Sequence, residues 1–457
     1  MTTPPNLPLD VIILAAGLGT RMKSRLPKVC HKIAGQSLLD HVVSAAAPLN
    51  CRSVIAVIGP EFPENLQQNL AKRGIETCLQ TERRGSGHAT QQAQNLLSAK
   101  IKSQSGFALI LAGDAPLITS ENLAQMVHLL QNDANCAVAV AAFETPNPTG
   151  YGRLVTESAT EAQFVRIVEE RDATPAEKTI RLCNAGLYAV REEMLFPLLA
   201  KIKDNNAQGE YYLTDIIGLA VDEGHRVKYH LIPESEAHGI NSRSELARAD
   251  ALMQQRLRHS VMAAGVTLRD PDSVYLCYDS KIGRDCVIEP NVVFGPGVTI
   301  GENVEIRAFC HLEGVVIGDG AVIGPFARLR PETEIGTNAH IGNFVELKKT
   351  KMGAGAKANH LSYLGDATIG AAANIGAGTI TCNYDGYGKY STKIGAGAFI
   401  GSNSSLIAPM EIGAGAIIGA GSVLGGFVPA DAMALSRSAP EIRPKAAVRF
   451  REKHGGK

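Results

Sequence analysis

Gly17, Gly19, Thr20 and Arg21, with Pro27 and Lys28 a few residues on, are the first residues in the chain whose types could act on a ligand. Glycines in a turn leave backbone N–H groups free and let the main chain come close to a phosphate. Arg21 and Lys28 would add the positive charge that a triphosphate needs. The spacing is neither GxxxxGKS/T nor GxGxxG, so neither the P-loop nor the dinucleotide fingerprint applies. By itself such a turn also serves as structural punctuation. Asp114, in Gly113-Asp114-Ala115-Pro116, offers a carboxylate to Mg2+, a hard cation that shares oxygen ligands with substrate phosphates, or else caps the segment that follows. Further on, Arg330 and Lys348 suit a phosphorylated ligand, because both bind phosphate and Arg can do so bidentately. His360 suits general-base work near neutral pH, or is a satisfied structural histidine.

Two unlike frameworks must position these groups. From Ile282 to Leu424 a large apolar residue returns at every sixth position, first as Ile282, Ile288, Phe294, Ile300, Ile306 and Leu312. After a slip of one residue it continues as Ile317, Ile323, Leu329, Ile335, Ile341 and Leu347, blurs, and returns from Ile394 to Leu424. Neither the helical period of 3.6 nor strand alternation explains a fixed six. A coil of short strands does: one large side chain per hexad points inward, and the Gly that so often follows relieves crowding. Such hexads read as a parallel β-helix, a stack in which each coil buries its neighbour's face. The irregular segments 348–364 and 377–393 are where loops leave the coil and carry chemistry.

The first half alternates instead. Asp10 to Ala15, Ser53 to Gly59 and Phe107 to Ala112 read as buried strands. Leu38 to Ala47, Ala89 to Ala99 and Glu121 to Gln131 read as helices between them, as in a doubly wound, Rossmann-like sheet whose ligands lie at the carboxyl ends of the strands. Ser244 to Ala264 repeats apolar residues at helical spacing and reads as an amphipathic linker with no chemistry of its own. The expected organisation is therefore 1–243, a helical linker 244–264, and a β-helix over 265–457.

Composition narrows the function. With 45 basic and 45 acidic residues there is no electrostatic support for broad nucleic-acid or membrane-surface binding. No apolar run approaches a bilayer's thickness, and Met1 to Asp10 lacks the regions of a signal peptide. Nine Cys without a CxxC pair fit reduced thiols and a cytoplasmic location rather than a disulfide framework or zinc site.

The run Leu14 to Met22 followed by Pro27-Lys28 resembles the LxxGxGTRM…PK motif of sugar-nucleotide pyrophosphorylases. The hexads resemble the left-handed parallel β-helix of the hexapeptide-repeat acyltransferases, and the left hand is taken from that resemblance. Lys348, Gly353, His360, Leu361 and Tyr363 match a Lys-x4-Gly-x6-His-Leu-x-Tyr pattern. Along essentially its full length the chain resembles the bifunctional bacterial N-acetylglucosamine-1-phosphate uridylyltransferase/glucosamine-1-phosphate N-acetyltransferases.

That resemblance implies that Leu14, Ala15, Ala16, Gly17, Gln80, Gly85 and Ser86 read uracil, and that Lys28 handles phosphate with help from Arg21. It places the sugar at Gly152, Glu169 and Asn184, and Mg2+ on Asp114 and Asn241. The stretch from Ala207 to Asp215 supports the match, whereas Ala112, Ser86 and Ala185 depart from commoner residues and bear on affinity. In the β-helix, His360 is implied as the base, with the amino-sugar phosphate on Arg330, Lys348, Tyr363 and Asn374. Acetyl-CoA falls to Ala377, Asn383, Tyr384, Ser402, Ala420 and Arg437. The implied products serve envelope synthesis: acetylation of glucosamine 1-phosphate, then uridylyl transfer from UTP, giving UDP-N-acetylglucosamine for peptidoglycan and lipopolysaccharide. A pyrophosphorylase whose β-helix only oligomerises or regulates leaves His360, Lys348 and Arg330 unexplained. A binding scaffold like the translation-initiation exchange-factor subunits leaves the intact Gly19-Thr20-Arg21, Lys28, Asp114 and Asn241 unexplained. The prism implied by a three-strand coil, with polar loops exceeding what one face uses, leads us to expect a homotrimer. The basic tail Lys445 to Lys457 is open between a solvated end and a contact for the CoA phosphates.

Overall fold

A computed structural model describes residues 8–98, 106–156, 164–436 and 441–454. The chain divides into two compact units, Met1–Met253 and Gln254–Lys457. The boundary falls inside one long helix, Arg243–Ala263.

The first unit is built on a nine-stranded sheet: β1 (Leu9–Ala15), β2 (Ser53–Ile58), β3 (Glu76–Leu79), β4 (Phe107–Ala112), β5 (Cys136–Glu144), β6 (Arg153–Val155), β7 (Arg166–Val168), β8 (Leu182–Arg191) and β9 (Arg226–Leu231). Its order is β9-β5-β8-β4-β1-β2-β3, with β6 and β7 branching from β8. β1 lies between β4 and β2, parallel to both, and is buried on both faces, which is why its sequence is almost wholly apolar. The exception, Asp10, is fully buried and satisfied by an ion pair to Arg52 and by the Ser53 hydroxyl at 2.7 Å. The sheet is mixed, since β8 runs antiparallel to both neighbours, and a bulge between Asn184 and Tyr188 breaks its register. Helices Leu38–Ala46 and Ser120–Gln131 start at Ser37 and Thr119, whose side chains accept from Asp40 N and Asn122 N. The helix expected over 89–99 is instead two short ones, Ser86–Gln91 and Gln94–Ser98. The first starts three residues early because Gly85, at φ +104°, turns the chain beneath Tyr211.

The second unit is a parallel β-helix with three faces. One face stacks ten strands from Thr267–Leu268 to Met433–Ala434. The other two meet in strands long enough to turn a corner: Glu346 and Leu347 pair with Arg328 and Leu329, while Lys351 and Met352 of the same strand pair with Glu334 and Ile335. The large hexad residues fill the interior: Ile288, Ile306, Ile323, Ile341, Ile400 and Ile418 are fully buried. The glycines after them have a definite cause. A Cβ on Gly336 would lie 2.6 Å from Ala354 N of the next coil, so close stacking forbids a side chain there. The left-handed corners are a separate matter and accept other residues, as Asn338 (φ 55°) and Ala372 (φ 55°) do.

The long helix divides its work. Ala249 and Met253 are buried within the first unit, and Asp250 accepts from Ala34 N at 2.7 Å. In the second unit Gln254 exchanges two 2.8 Å hydrogen bonds with the Leu276 main chain, and Leu257 and Val261 pack on the β-helix core.

Candidate functional site

The residues at the carboxyl end of β1 meet those following β4 because the two strands are neighbours. Gly113 N donates to Leu14 O at 2.9 Å, which sets Asp114 beside the Gly-rich loop. Gly19 adopts φ +63°, and any Cβ on it would overlap the Lys28 side chain. Glycine thus leaves room for Lys28 to cross the loop and form an ion pair with Asp114, while its Nζ donates to Asn241 Oδ1 at 2.9 Å. Ile240 N donates to Asp114 O at 3.0 Å, which is what brings Asn241 alongside. Asp114 and Asn241 therefore aim two oxygens at one cation, here an ammonium. Such a pair fits Mg2+, whose remaining positions are commonly filled by water and substrate phosphates.

A cavity of about 470 Å³ opens beside this pair, and Arg21, Asp114, Gly152, Glu169, Asn184 and Asn241 all line it. Asn184 is aimed there by the β8 bulge and by its N–H, which donates to Gly152 O at 2.8 Å. Burial pushes the Glu169 carboxyl up, reinforced by Asp172 and Asp215 and opposed by a 3.4 Å hydrogen bond from Thr214. Ala112 and Ala185, two of the unusual residues, face the same cavity. The residues implied for uracil form a neighbouring group: buried Gln80 donates to Gly85 O at 3.2 Å, and Ser86 Oγ accepts from Leu213 N at 3.0 Å. Arg83 ties this loop to the glycine turn by donating to Ala16 O at 2.7 Å.

In the β-helix, three of the four residues implied for the amino-sugar phosphate share a face through coil register. Arg330 N donates to Leu347 O, Lys348 pairs with Gly365, and Tyr363 pairs with Glu346. Arg330 Nη1 donates to Glu346 at 2.8 Å. Lys389, from the loop that leaves the coil, lies against Lys348; together with Arg330 it holds the Lys348 ammonium below the usual lysine range. Unlike the other three, Asn374 sits on the ten-stranded face, between Lys357 and Phe399.

His360 stands at a corner. Main-chain bonds run up this corner from Leu361 N to Asn343 O, Gly378 N to His360 O, Asn403 N to Ala377 O and Gly421 N to Ser402 O. Asn343, His360, Ala377 and Ser402 are thus successive floors of one column, with Ala420 beside the last. The Asn343 side chain holds His360 Nδ1 at 2.6 Å, which leaves Nε2 as the nitrogen able to face a substrate. Asn383 is buried on Asp366, and Tyr384 is exposed on the loop. Arg437 lies outside the described residues.

Several residues were missed by sequence reasoning. Lys389 lay in a loop already marked as irregular, whereas Arg83 and Asn343 have no signal in spacing. The long helix, read as having no chemistry of its own, lends Glu245, Arg248 and Leu252 to the cavity wall.

Comparison with known proteins bears on both units. Residues 11–173 match the MobA-like NTP transferase domain. Residues 279–314, 314–349 and 391–426 match the bacterial transferase hexapeptide (six repeats). Relatives cover both units at once: the protein named bifunctional protein GlmU from Paramagnetospirillum magneticum is 48% identical over 98% of this chain and 98% of its own. The chain belongs to the bifunctional GlmU family. The proteins of that name from Azorhizobium caulinodans (47% identical, 98% of this chain, 98% of the other) and Caulobacter vibrioides (48%, 98%, 95%) are similar over the same span. A GlmU-family chain thus carries its nucleotidyltransferase and hexapeptide units in one polypeptide.

Proposed function

We propose that this bifunctional transferase makes UDP-N-acetylglucosamine in two steps, on the residues assigned here to its two units. The β-helix unit transfers acetyl from acetyl-CoA to the 2-amino group of glucosamine 1-phosphate. The first unit then transfers uridylyl from UTP to the resulting N-acetylglucosamine 1-phosphate, releasing pyrophosphate. The observation that carries this over a purely structural β-helix is the second site. A coil that served only as a scaffold has no need of His360 fixed by Asn343, nor of Lys348 and Lys389 held against each other near Arg330.

In the uridylyl step an oxygen of the sugar 1-phosphate attacks the α-phosphorus in line, and no covalent intermediate is required. Gln80, Gly85 and Ser86, with the β1 end from Leu14 to Gly17, hold the base. Gly152, Glu169 and Asn184 hold the sugar. Asp114 and Asn241 would hold Mg2+, which would supply positive charge against the phosphate oxygens. Lys28 exchanges its carboxylate partner for phosphate and, with Arg21, neutralises the charge that develops on the leaving group.

In the acetyl step His360 Nε2 takes the proton as the amine adds to the thioester carbonyl; the tetrahedral intermediate then collapses with cleavage of its C–S bond, and the departing coenzyme A thiolate takes that proton from the imidazolium. Arg330, Lys348, Tyr363 and Asn374 hold the amino sugar, with Lys389 a third cation on its phosphate. Ala377, Ser402 and Ala420 form a corner of small residues along which acetyl-CoA lies, with Asn383 and Tyr384 at its edge and Arg437 toward its phosphates. No thiol carries the acetyl group, so transfer is direct.

The assembly is a homotrimer with acetyl sites at subunit boundaries, and it works in the cytoplasm. Support for the trimer is an exposed apolar ladder on the His360 corner: Phe309, Phe326 and Phe344 stack with centroids 4.9 and 5.0 Å apart, and Leu361 follows. Support for the location is that none of the nine cysteines is joined in a disulfide. Incubation with UTP, acetyl-CoA and glucosamine 1-phosphate, read by mass spectrometry, tests the function. UDP-N-acetylglucosamine is the expected product; UTP consumed only when N-acetylglucosamine 1-phosphate is supplied ready-made would leave the β-helix without its acetyl step.

A further inference from the structure

Arg153 is 1% exposed and is not part of the cavity wall, although its charge opposes the upward shift of Glu169, and its Nε has no hydrogen-bond partner among the described residues. A buried arginine is a costly way to gain stability, since an apolar side chain of similar volume commonly does as well or better. Its neighbours suggest another use. Arg153 pairs in register with Val168 on one side and Cys183 on the other. The residues next to this single rung are Gly152, Glu169 and Asn184, the three assigned to the sugar. The guanidinium then reaches back: Nη1 donates to Tyr151 O, and Nη2 to Glu170 Oε2 at 2.7 Å. Glu170 Oε2 also accepts from Gly150 N at 3.2 Å. A planar fork satisfies two acceptors at a fixed angle, which an ammonium cannot do. The far side of the loop is held separately, by the Tyr151 hydroxyl on His238 Nδ1 at 3.0 Å.

We infer that Arg153, with Glu170, is a positioning residue for sugar selection, a clasp that locks the loop 149–152 against the rung from which all three sugar-contacting residues extend. The inference rests on the proposed uridylyl reaction. Without the clasp, Gly152 is free to drift from Glu169 and Asn184, and misplacement by about 1 Å is enough to lose roughly a hundredfold in a positioned reaction. The base-binding group lies on other loops and does not depend on it.

The test is steady-state uridylyl transfer by the full-length protein, varying UTP and N-acetylglucosamine 1-phosphate separately. Arg153→Met should raise KM for the sugar phosphate by roughly ten- to a hundredfold and leave KM for UTP within about twofold. Arg153→Lys, which can serve only one acceptor at a time, should recover part of that loss. Glu170→Ala sits nearer the surface and should raise the sugar KM by about three- to tenfold, the effect of a lost hydrogen bond. It keeps the inference testable if Arg153→Met fails to fold. Equal increases in both KM values, or a sugar KM within about twofold of wild type in the folded variants, would overturn the clasp. Wild-type protein that turned over UTP with no hexosamine phosphate would overturn the substrate reading as well, so the two failures are distinguishable.

Discussion

His360 and Asp114 illustrate how much one side chain can decide when its surroundings hold it still. The tetrahedral intermediate of acetyl transfer must lose an amine proton, and a positioned imidazole typically contributes about two to four orders of magnitude. His360→Ala should lower the acetyl-transfer rate constant by that order and leave uridylyl transfer unchanged, both read on the same preparation with assembly checked by light scattering. His360→Gln should be nearly as impaired, since it keeps a hydrogen-bonding group but not the base. Near wild-type acetyl transfer by His360→Ala across pH 6 to 9 would move the role to another group. Asp114 is tied to Lys28 in the structure, so Asp114→Asn removes the proposed metal ligand and also loosens the lysine. Uridylyl transfer should collapse in that variant, and EDTA should do the same to wild type, while acetyl transfer persists in both cases. Loss of both activities together in a folded Asp114→Asn protein would count against the metal assignment.

At the scale of elements, glycines with different reasons look alike in the sequence. Gly336 has ordinary dihedral angles and is required by the next coil's backbone, whereas Gly355 is left-handed (φ +65°) with open space around it. Gly336→Ala should therefore destabilise the β-helix by about 1 to 3 kcal/mol through overpacking. Gly355→Asn should be nearly neutral, because Asn338 already takes the left-handed conformation one coil below. Calorimetry of the two variants checks this, and equal destabilisation would show that backbone conformation, not stacking, sets the requirement. The broken helix at 86–98 makes a similar point: apolar spacing marked the helical region, while the turn at Gly85 decided where it starts.

For the whole molecule, the exposed Phe309, Phe326 and Phe344 ladder is the feature most in need of a partner, and the proposed trimer provides one. Phe326→Asp, in the middle of the stack, should weaken assembly at micromolar concentration, as read by light scattering. It should reduce acetyl transfer in proportion to the trimer lost and leave uridylyl transfer intact. A stable, fully active trimer in that variant would place the interface on another face.

The six-residue beat was enough to imply a β-helix, because only a stacked coil demands an inward apolar side chain at that interval. The Gly-rich turn after β1 was legible for a similar reason, since strand and loop are contiguous and their chemistry is local. Fold class and the broad reaction types followed from such local patterns together with family resemblance. What lay beyond the sequence was every contact that depends on which strands become neighbours. Lys28 meets Asp114 and Asn241, far apart in the chain, only because β1 and β4 are adjacent. Arg153 becomes a clasp only because its short strand lies between Val168 and Cys183, and Asn343 orients His360 only because one coil stacks on the next. Periodicity records which way a side chain faces relative to its own backbone; what it faces is settled by packing, which has no period in the sequence.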